Sequence, residues 1–559
     1  MTPSVRYRVL FALVALALAL VLFGITQYPY RYADRHAPEG TRFIGEIAMM
    51  DDINSYFSFI QQAAHGHLVF HNAMTHLEHE PVFVNLEWLA AGIFMRVFGW
   101  STRTTFEAWR FAGAVSLLSG FAALTLALPM STRERLVALG MCAFGGGFGW
   151  FLFGLSKLGW VDISAQLGLL NPAMDLITPI HPFGQITKNP HFSLPHGTFL
   201  LVMAAYVVAE NGRSPRWYGV AAVMAVLHGL IRPYDIISLW AFLPVFMALE
   251  SFRARSWCVR QNLWRALPLA ATAPVLLYYV YIFSLHPVFK SWSSQGVQPP
   301  MPLGWHLLAL GLAGVLFVYR LVRFRTYPLA TPSERLLAVW ALVTLVLVHS
   351  NRVLPFMPYT PQLAVPMITA IILVSAGAFR PRDHGAARPA ALAALALFLV
   401  LNALTSPFYL QRAASAAASN KSLYVHVEDL KAIDWLKDHV REQDVILSNY
   451  AMGTKLGQLL PARVVLGHWA LTPHVDALGK RIDQLIDGRL EPGEAAALLA
   501  ELRARYLYVP NPRRWARAYP PGAIPGIRLV YDNPSIAIYE VRRMPEGHHA
   551  RVSTEAAWL

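Results

Sequence analysis

Residues 9–25 read VLFALVALALALVLFGI, a run without a single polar side chain. A bilayer core of about 30 Å is crossed by about 20 mostly apolar helical residues, so this stretch has the length and character of a membrane span. Arg6 and Arg8 precede it. A basic start before an apolar run also opens signal peptides, but no small-x-small cleavage site follows cleanly and many further apolar runs lie downstream. The run therefore reads as an uncleaved first transmembrane helix. The composition agrees: 55% of the 559 residues are hydrophobic and 14% are charged, with a mean hydropathy of +0.40, too apolar for a soluble enzyme of this size. Cys142 and Cys258 both lie in or beside apolar segments, which leaves no disulfide framework and no cysteine metal cluster.

Working outward from the first run, eleven spans are expected, at roughly 8–27, 108–130, 136–156, 196–210, 217–231, 235–250, 264–284, 302–320, 333–349, 362–379 and 388–405. The connectors STRER (131–135), NGRSPRW (211–217), ESFRARSWCVRQNLWR (250–265), YRLVRFR (319–325) and FRPRDHGAARP (379–389) are short and arginine-rich. Basic loops stay in the cytoplasm, so the N-terminus is placed inside and the long connectors 28–107 and 157–195 outside. The same loops account for the net charge of +14 without a nucleic-acid partner. Pro81–Trp100 is apolar but carries Asn85, Glu87 and Arg96. If it crossed, every later basic loop would change sides, so it is expected to lie along the outer surface.

Hydrophobic saturation ends near residue 406. DVILS (444–448), RVVLG (463–467), RYLYV (505–509), IRLVY (527–531) and SIAIYEV (535–541) read as strands, with helices expected at 428–440, 475–487 and 493–504. Strands alternating with helices predict a small, mostly parallel α/β domain over 407–542 with a closing hairpin. The tail 543–559 is polar. The expected organisation is thus a multi-pass bacterial inner-membrane domain, 1–406, followed by an extracytoplasmic α/β domain.

The chemistry-bearing clusters all fall on the outer side of that topology. MMDDINSYFSFIQQAAHGHLVFHN (49–72) opens on two adjacent acids. Acids in the first turn of a helix are favoured by its dipole, so a helix cap accounts for them as well as a general base acting on a hydroxyl does. The order of motifs resembles the GT-C class of membrane glycosyltransferases, which includes protein O-mannosyltransferases and lipid A aminoarabinose transferases. In that class an acid sits in the first extracytoplasmic loop, typically an Asp followed four residues later by Tyr, a spacing that Asp52 and Tyr56 match. Gly66, Asn72, Glu80-Pro81, Phe98-Gly99, NPHF (189–192), RPYD (232–235) and GHWA (467–470) follow in the order of uncharacterised bacterial members. Ile53 departs from the pattern, since the transferases usually carry Glu there.

The resemblance implies a GT-C-like helical membrane fold and an inverting transfer of sugar from a polyprenyl-phosphate donor to an acceptor hydroxyl on a glycan, lipid or protein. Asp52, with Asp51 as the alternative, would be the base, Tyr56 and Asn189 would face substrate, and His191 would either bond substrate or brace its loop. The leaving lipid phosphate needs a cation, and the candidates are Arg352 in HSNRVLPFMPYTP (349–361), Arg232 and Lys188. Arg352 comes first because it lies at the outer end of an expected span and Arg holds phosphate bidentately, although an interfacial arginine also snorkels. Asp235 beside Arg232 is read first as a structural ion pair. His65, His67, His71, His76 and His79, like His181, His191 and His196, form no HExxH-type spacing. No metal ligands are assigned. A divalent cation stays open, with Glu80 as a second acid or as its ligand. SNYAMGTKLGQLL (448–460) matches neither nucleotide-loop pattern. The competing functions are a lipid-linked sugar flippase, disfavoured by span interiors poor in charge and without a repeat, and an inactive envelope-assembly scaffold.

Overall fold

The computed structural model describes residues 4–162, 173–176, 179–212, 214–298, 301–323, 329–355, 357, 359–380 and 389–542. Parts of the 157–195 loop and of the connectors at 319–325 and 379–389, and the whole of the 543–559 tail, lie outside the described residues. Among the described residues nine helices are long and apolar enough to cross a membrane, and the chain is a multi-pass membrane protein. Thr132–Phe144 and Gly149–Lys157, bent by 45°, make a tenth if they form one broken span. The segment expected at 217–231 is the helix Arg216–Gly229, of 14 residues. At 1.5 Å per residue it extends only about 21 Å, short of the bilayer core. The segment expected at 196–210 is longer than its sequence suggested. Asn189 caps it and Pro190 occupies its first turn, so the helix runs Pro190–Glu210 and takes in NPHF.

Small residues let the spans approach closely. The helix Thr102–Ala127 lays Gly113 against Ser193 Oγ and Gly120 against the Gly197 carbonyl of Pro190–Glu210, and a Cβ at Gly120 would collide with that backbone. Several charged residues in or beside the arginine-rich connectors pair with one another. Arg265 forks onto Glu210 at 2.7 Å, Arg335 bonds Glu250 at 2.7 Å, and Arg380 bridges Glu134 at 3.0 Å and Glu334 at 2.7 Å.

The segment 81–100 holds the helix Leu86–Phe98, 13 residues long and too short to span. Asn85 caps it by accepting from the Glu87 and Trp88 N–H groups, and Gly99 ends it in the left-handed region at φ 64°. It packs on the helix Met50–Ala64 through Gly92, which sits against Ala63 and the Ile60 carbonyl, while Ile93, Phe94, Val97 and Phe98 remain exposed.

Seven strands appear among the described residues: β1 (Thr41–Phe43), β2 (Tyr424–His426), β3 (Val445–Leu447), β4 (Arg463–Val464), β5 (Tyr506–Pro510), β6 (Ile527–Asp532) and β7 (Ile536–Val541). The last five form a sheet in the order β4-β3-β5-β7-β6. Its β3 strand pairs parallel with β4 and β5, while the closing hairpin brings β7 antiparallel to both β5 and β6. The sheet is therefore mixed, because a hairpin reverses the chain before it rejoins. Side chains alternate between two cores: Ile446, Tyr506 and Tyr508 face one, with Ile433, Leu436 and Leu456, and Val445, Leu447, Leu507 and Val509 face the other, with Ile482, Leu498 and Trp515. The α/β domain is not a free appendage. β1 of the first loop pairs antiparallel with β2, and Met74 of the same loop enters the core of the domain.

Candidate functional site

The helix Met50–Ala64 begins where Met49 takes a left-handed turn at φ 56°, which aims its first residues at the α/β domain. Asp51 and Asp52 are both half-buried. With Met49, Met50, Asn420 and Trp469 they line an open cavity of about 320 Å³, near the lower end of the range for small-ligand sites. The two acids have different partners. Tyr450 Oη donates to Asp51 Oδ2 at 2.8 Å, whereas Asp52 Oδ1 lies 3.4 Å from His468 Nε2. Burial holds the Asp51 carboxyl above its usual range, against the opposing pull of the Tyr450 hydrogen bond and of His468.

One turn along, the buried Tyr56 ring stacks on Trp88 at 4.5 Å and lies 5.2 Å from the His191 ring. Burial and then the Asp52 charge push its phenol up. His191 Nδ1 donates to Glu87 Oε2 at 2.7 Å, and its backbone N–H is received by the capping Asn189 Oδ1 at 3.0 Å. Arg232 is almost wholly buried. Its terminal nitrogens bond the His191 carbonyl at 3.1 Å and Gln362, through backbone and side chain, at 3.0 Å. Asp235 receives His228 Nε2 at 3.1 Å and faces Arg232 Nε at 3.5 Å, the geometry of a structural ion pair. Asp52, Tyr56, Asn189, His191, Arg232 and Asp235 thus form one connected region, with Arg232 fastening NPHF to RPYD.

The other sequence candidates stand apart in their contacts. Lys188 is buried over the Tyr409 ring, 5.1 Å away, where burial and the neighbouring Arg412 push its ammonium down to about 7. Arg352 is exposed and bonds the Met301 carbonyl at 2.6 Å. Glu80 is exposed, and its charge bears on His79. The histidines of the first loop turn to structural work: His67 meets Glu442 of the α/β domain at 3.1 Å, and His79 Nε2 accepts the Asn72 N–H at 2.9 Å. Among the described residues no three His, Cys, Asp or Glu side chains gather as a metal site.

Sequence reasoning missed Glu87 as the partner of His191, and Tyr450, His468 and Trp469 as site residues. GHWA was singled out only for its place in the motif order. A histidine and tryptophan after a short strand carry no signal of a carboxylate 416 residues away. SNYAMGTKLGQLL is a capped helix, Tyr450–Leu459, with Asn449 accepting the Met452 N–H. Its Gly453 lies against the Leu466 carbonyl, so this glycine serves close packing.

No protein-family model and no curated protein matches the sequence. Solved structures do. The chain is similar to ArnT from Cupriavidus metallidurans bound to undecaprenyl phosphate, with a TM-score of 0.51 and 12% identity over 96% of this chain and 98% of that one. It is similar to the Archaeoglobus fulgidus oligosaccharyltransferase tethered with an acceptor peptide, with a TM-score of 0.50 and 11% identity over 97% and 74% of the two chains. The mycobacterial arabinofuranosyltransferase AftD matches with a TM-score of 0.56 and 15% identity over 97% of this chain, which spans 42% of that longer one. Identities this low speak to architecture alone, and the architecture is specific: this chain has the fold of the GT-C membrane glycosyltransferases.

Proposed function

We propose that the protein is an inverting glycosyltransferase that moves a sugar from a polyprenyl-phosphate donor to an acceptor hydroxyl on the extracytoplasmic side of a bacterial inner membrane. The observation that carries this reading is Asp52: a half-buried carboxylate in the first turn of a helix, at the mouth of an open cavity between the first loop and the α/β domain. In this reading Asp52 takes the proton from the acceptor hydroxyl, whose oxygen attacks the anomeric carbon, while the lipid phosphate departs with the electrons of the broken C–O bond. The base is Asp52, since Asp51 is engaged by Tyr450. Tyr56 backs the base one turn along. Arg352 is the preferred phosphate cation: it is exposed, whereas Arg232 has both terminal nitrogens bound to its own chain. Lys188, beside Arg412, is the second candidate. In this reading the first loop, NPHF, RPYD and the α/β domain lie on the extracytoplasmic side and the N-terminus in the cytoplasm, a reading supported by the arginine-rich character of the other connectors. The fold neighbours crystallised with undecaprenyl phosphate and with an acceptor peptide support a lipid donor and a separate acceptor.

The test is a panel of undecaprenyl-phosphate hexoses and pentoses offered to the purified protein with envelope acceptor fractions. Acceptor-dependent release of undecaprenyl phosphate is the expected result. Movement of the intact lipid-linked sugar between leaflets of proteoliposomes, without cleavage, overturns the reading in favour of a transporter.

A further inference from the structure

The acid of the membrane domain and the histidine of the α/β domain meet in a way that assigns the histidine a task. His468 is almost wholly buried, and Asp52 is partly open to the cavity. Two backbone N–H groups, of Ala470 at 2.9 Å and Leu471 at 3.1 Å, both point at His468 Nδ1. A ring nitrogen that receives two donors carries a lone pair and no hydrogen, so the proton of the neutral imidazole sits on Nε2. Nε2 is the atom that faces Asp52 Oδ1 at 3.4 Å. The other tautomer would set an N–H against these two N–H groups, and flipping the ring would set the Cδ2–H there and turn Cε1 to Asp52.

The loop that presents the ring is itself locked. Thr472 Oγ1 receives the Gly467 and His468 N–H groups at 3.2 Å and donates to the Met74 carbonyl at 2.6 Å. Asn72 Nδ2 donates to the Leu471 carbonyl at 2.8 Å, and Gln295 Nε2 to the Thr472 carbonyl at 2.9 Å. The ring's approach to Asp52 is therefore set by the docking of the α/β domain on the first loop.

We propose that His468 is a positioning residue for Asp52: the α/β domain completes the site by donating one fixed Nε2–H to the base. This rests on the reading of Asp52 as the base. The second carboxylate is excluded from that role by a different donor of the same domain, Tyr450. His468 does not relay the proton, because protonating Nδ1 would place a hydrogen against the Ala470 and Leu471 N–H groups. The domain thus selects between two adjacent acids and orients the selected one.

Two substitutions separate the histidine's two nitrogens. His468→Asn keeps an acceptor where Nδ1 stood, and so the loop, but loses the donor to Asp52. His468→Gln keeps a donor near the Nε2 position and loses the acceptor. With the undecaprenyl-phosphate sugar turned over best in the panel as probe, His468→Asn is expected to lower kcat about ten- to hundredfold with KM changed less than about threefold. The acidic limb of its kcat–pH profile should rise by about one unit, since a carboxylate that loses a donor is harder to ionise. A merely structural histidine would not move that limb. His468→Gln should keep kcat within about fivefold of wild type and the limb in place, and it carries the test alone if His468→Asn does not fold. In an Asp52→Asn background His468→Asn should cost nothing further. The proposal is overturned by a folded His468→Asn with wild-type kcat and limb, by a folded His468→Gln that loses kcat as heavily as expected for His468→Asn, or by an undiminished cost of His468→Asn in the Asp52→Asn background. Full transfer by Asp52→Asn alone would instead remove the reading beneath it.

Discussion

Glu87 and His191 are 104 residues apart in sequence and 2.7 Å apart in space, and the bond between them predicts a measurable coupling. The Glu87 side chain is fully buried and that of His191 is 14% exposed. Oε2 receives the imidazole, while Oε1 has no hydrogen-bond partner among the described residues. His191→Ala leaves this carboxylate buried and unanswered, a loss of roughly 3–5 kcal/mol. The ring's contacts with Tyr56 and Trp88, at 5.2 and 5.4 Å, add about 0.5–1.5 kcal/mol. Glu87→Gln keeps an acceptor oxygen and exchanges a charge-assisted bond for a neutral one, costing about 1 kcal/mol. In the double variant the buried group left behind is a neutral amide, cheaper to strand than a carboxylate, so the two losses should not add. The expected coupling is about 1.5–3 kcal/mol in a double-mutant cycle read from denaturant unfolding of the detergent-purified protein. Losses that add to within about 0.5 kcal/mol would refute the bond as a determinant of how NPHF is held.

Two further outcomes follow from the docking of the α/β domain. A methyl group at Gly453 would meet the Leu466 carbonyl, which is backbone and cannot swing aside. Gly453→Ala should gain about 1 kcal/mol of helix propensity and lose about 1–3 kcal/mol to overpacking, for a net lower unfolding midpoint with faster amide exchange at 466–472; an unchanged or raised midpoint would count against the close approach. Burial pushes His71 and His76 of the first loop down to about 4 from 6.5. Both are neutral when folded, so their stabilising contribution is complete above pH 6.5 and is lost as pH falls towards 4, by at most about 3 kcal/mol each. Exchange protection in residues 65–80 should therefore fall between pH 6.5 and 4, and protection constant across that window would contradict the burial of these rings.

How much of this was legible in the sequence depends on the range of the interaction. Apolar runs are local signals, and they led to the membrane fold. Period-two strands and short helices led to the α/β domain close to their residues. The closing hairpin of β6 and β7 was legible, but the antiparallel pairing of β7 with β5 was not, because the direction of a strand depends on where the chain re-enters the sheet. The helix Pro190–Glu210 was expected only from residue 196, because Pro195 reads as a breaker; buried among other helices, Pro195 is accommodated and His196 bonds Gln185 and Thr369, each at 2.8 Å. In the candidate site, the Asp52–Tyr56 spacing is one helical turn and could be read directly. His468 could not, since nothing in GHWA tells which first-loop residue it will face. The strand β1 was also hidden: three residues, Thr41–Phe43, carry too little pattern to announce a partner near residue 425.

The central claim is that Asp52 is the base of a lipid-linked glycosyl transfer, and Asp52→Asn tests it most directly. The variant keeps size and a hydrogen-bond acceptor for His468 while removing the basic carboxylate. The account predicts that it binds the undecaprenyl-phosphate sugar with wild-type affinity and releases undecaprenyl phosphate at least about a hundredfold more slowly. Release at the wild-type rate would contradict it.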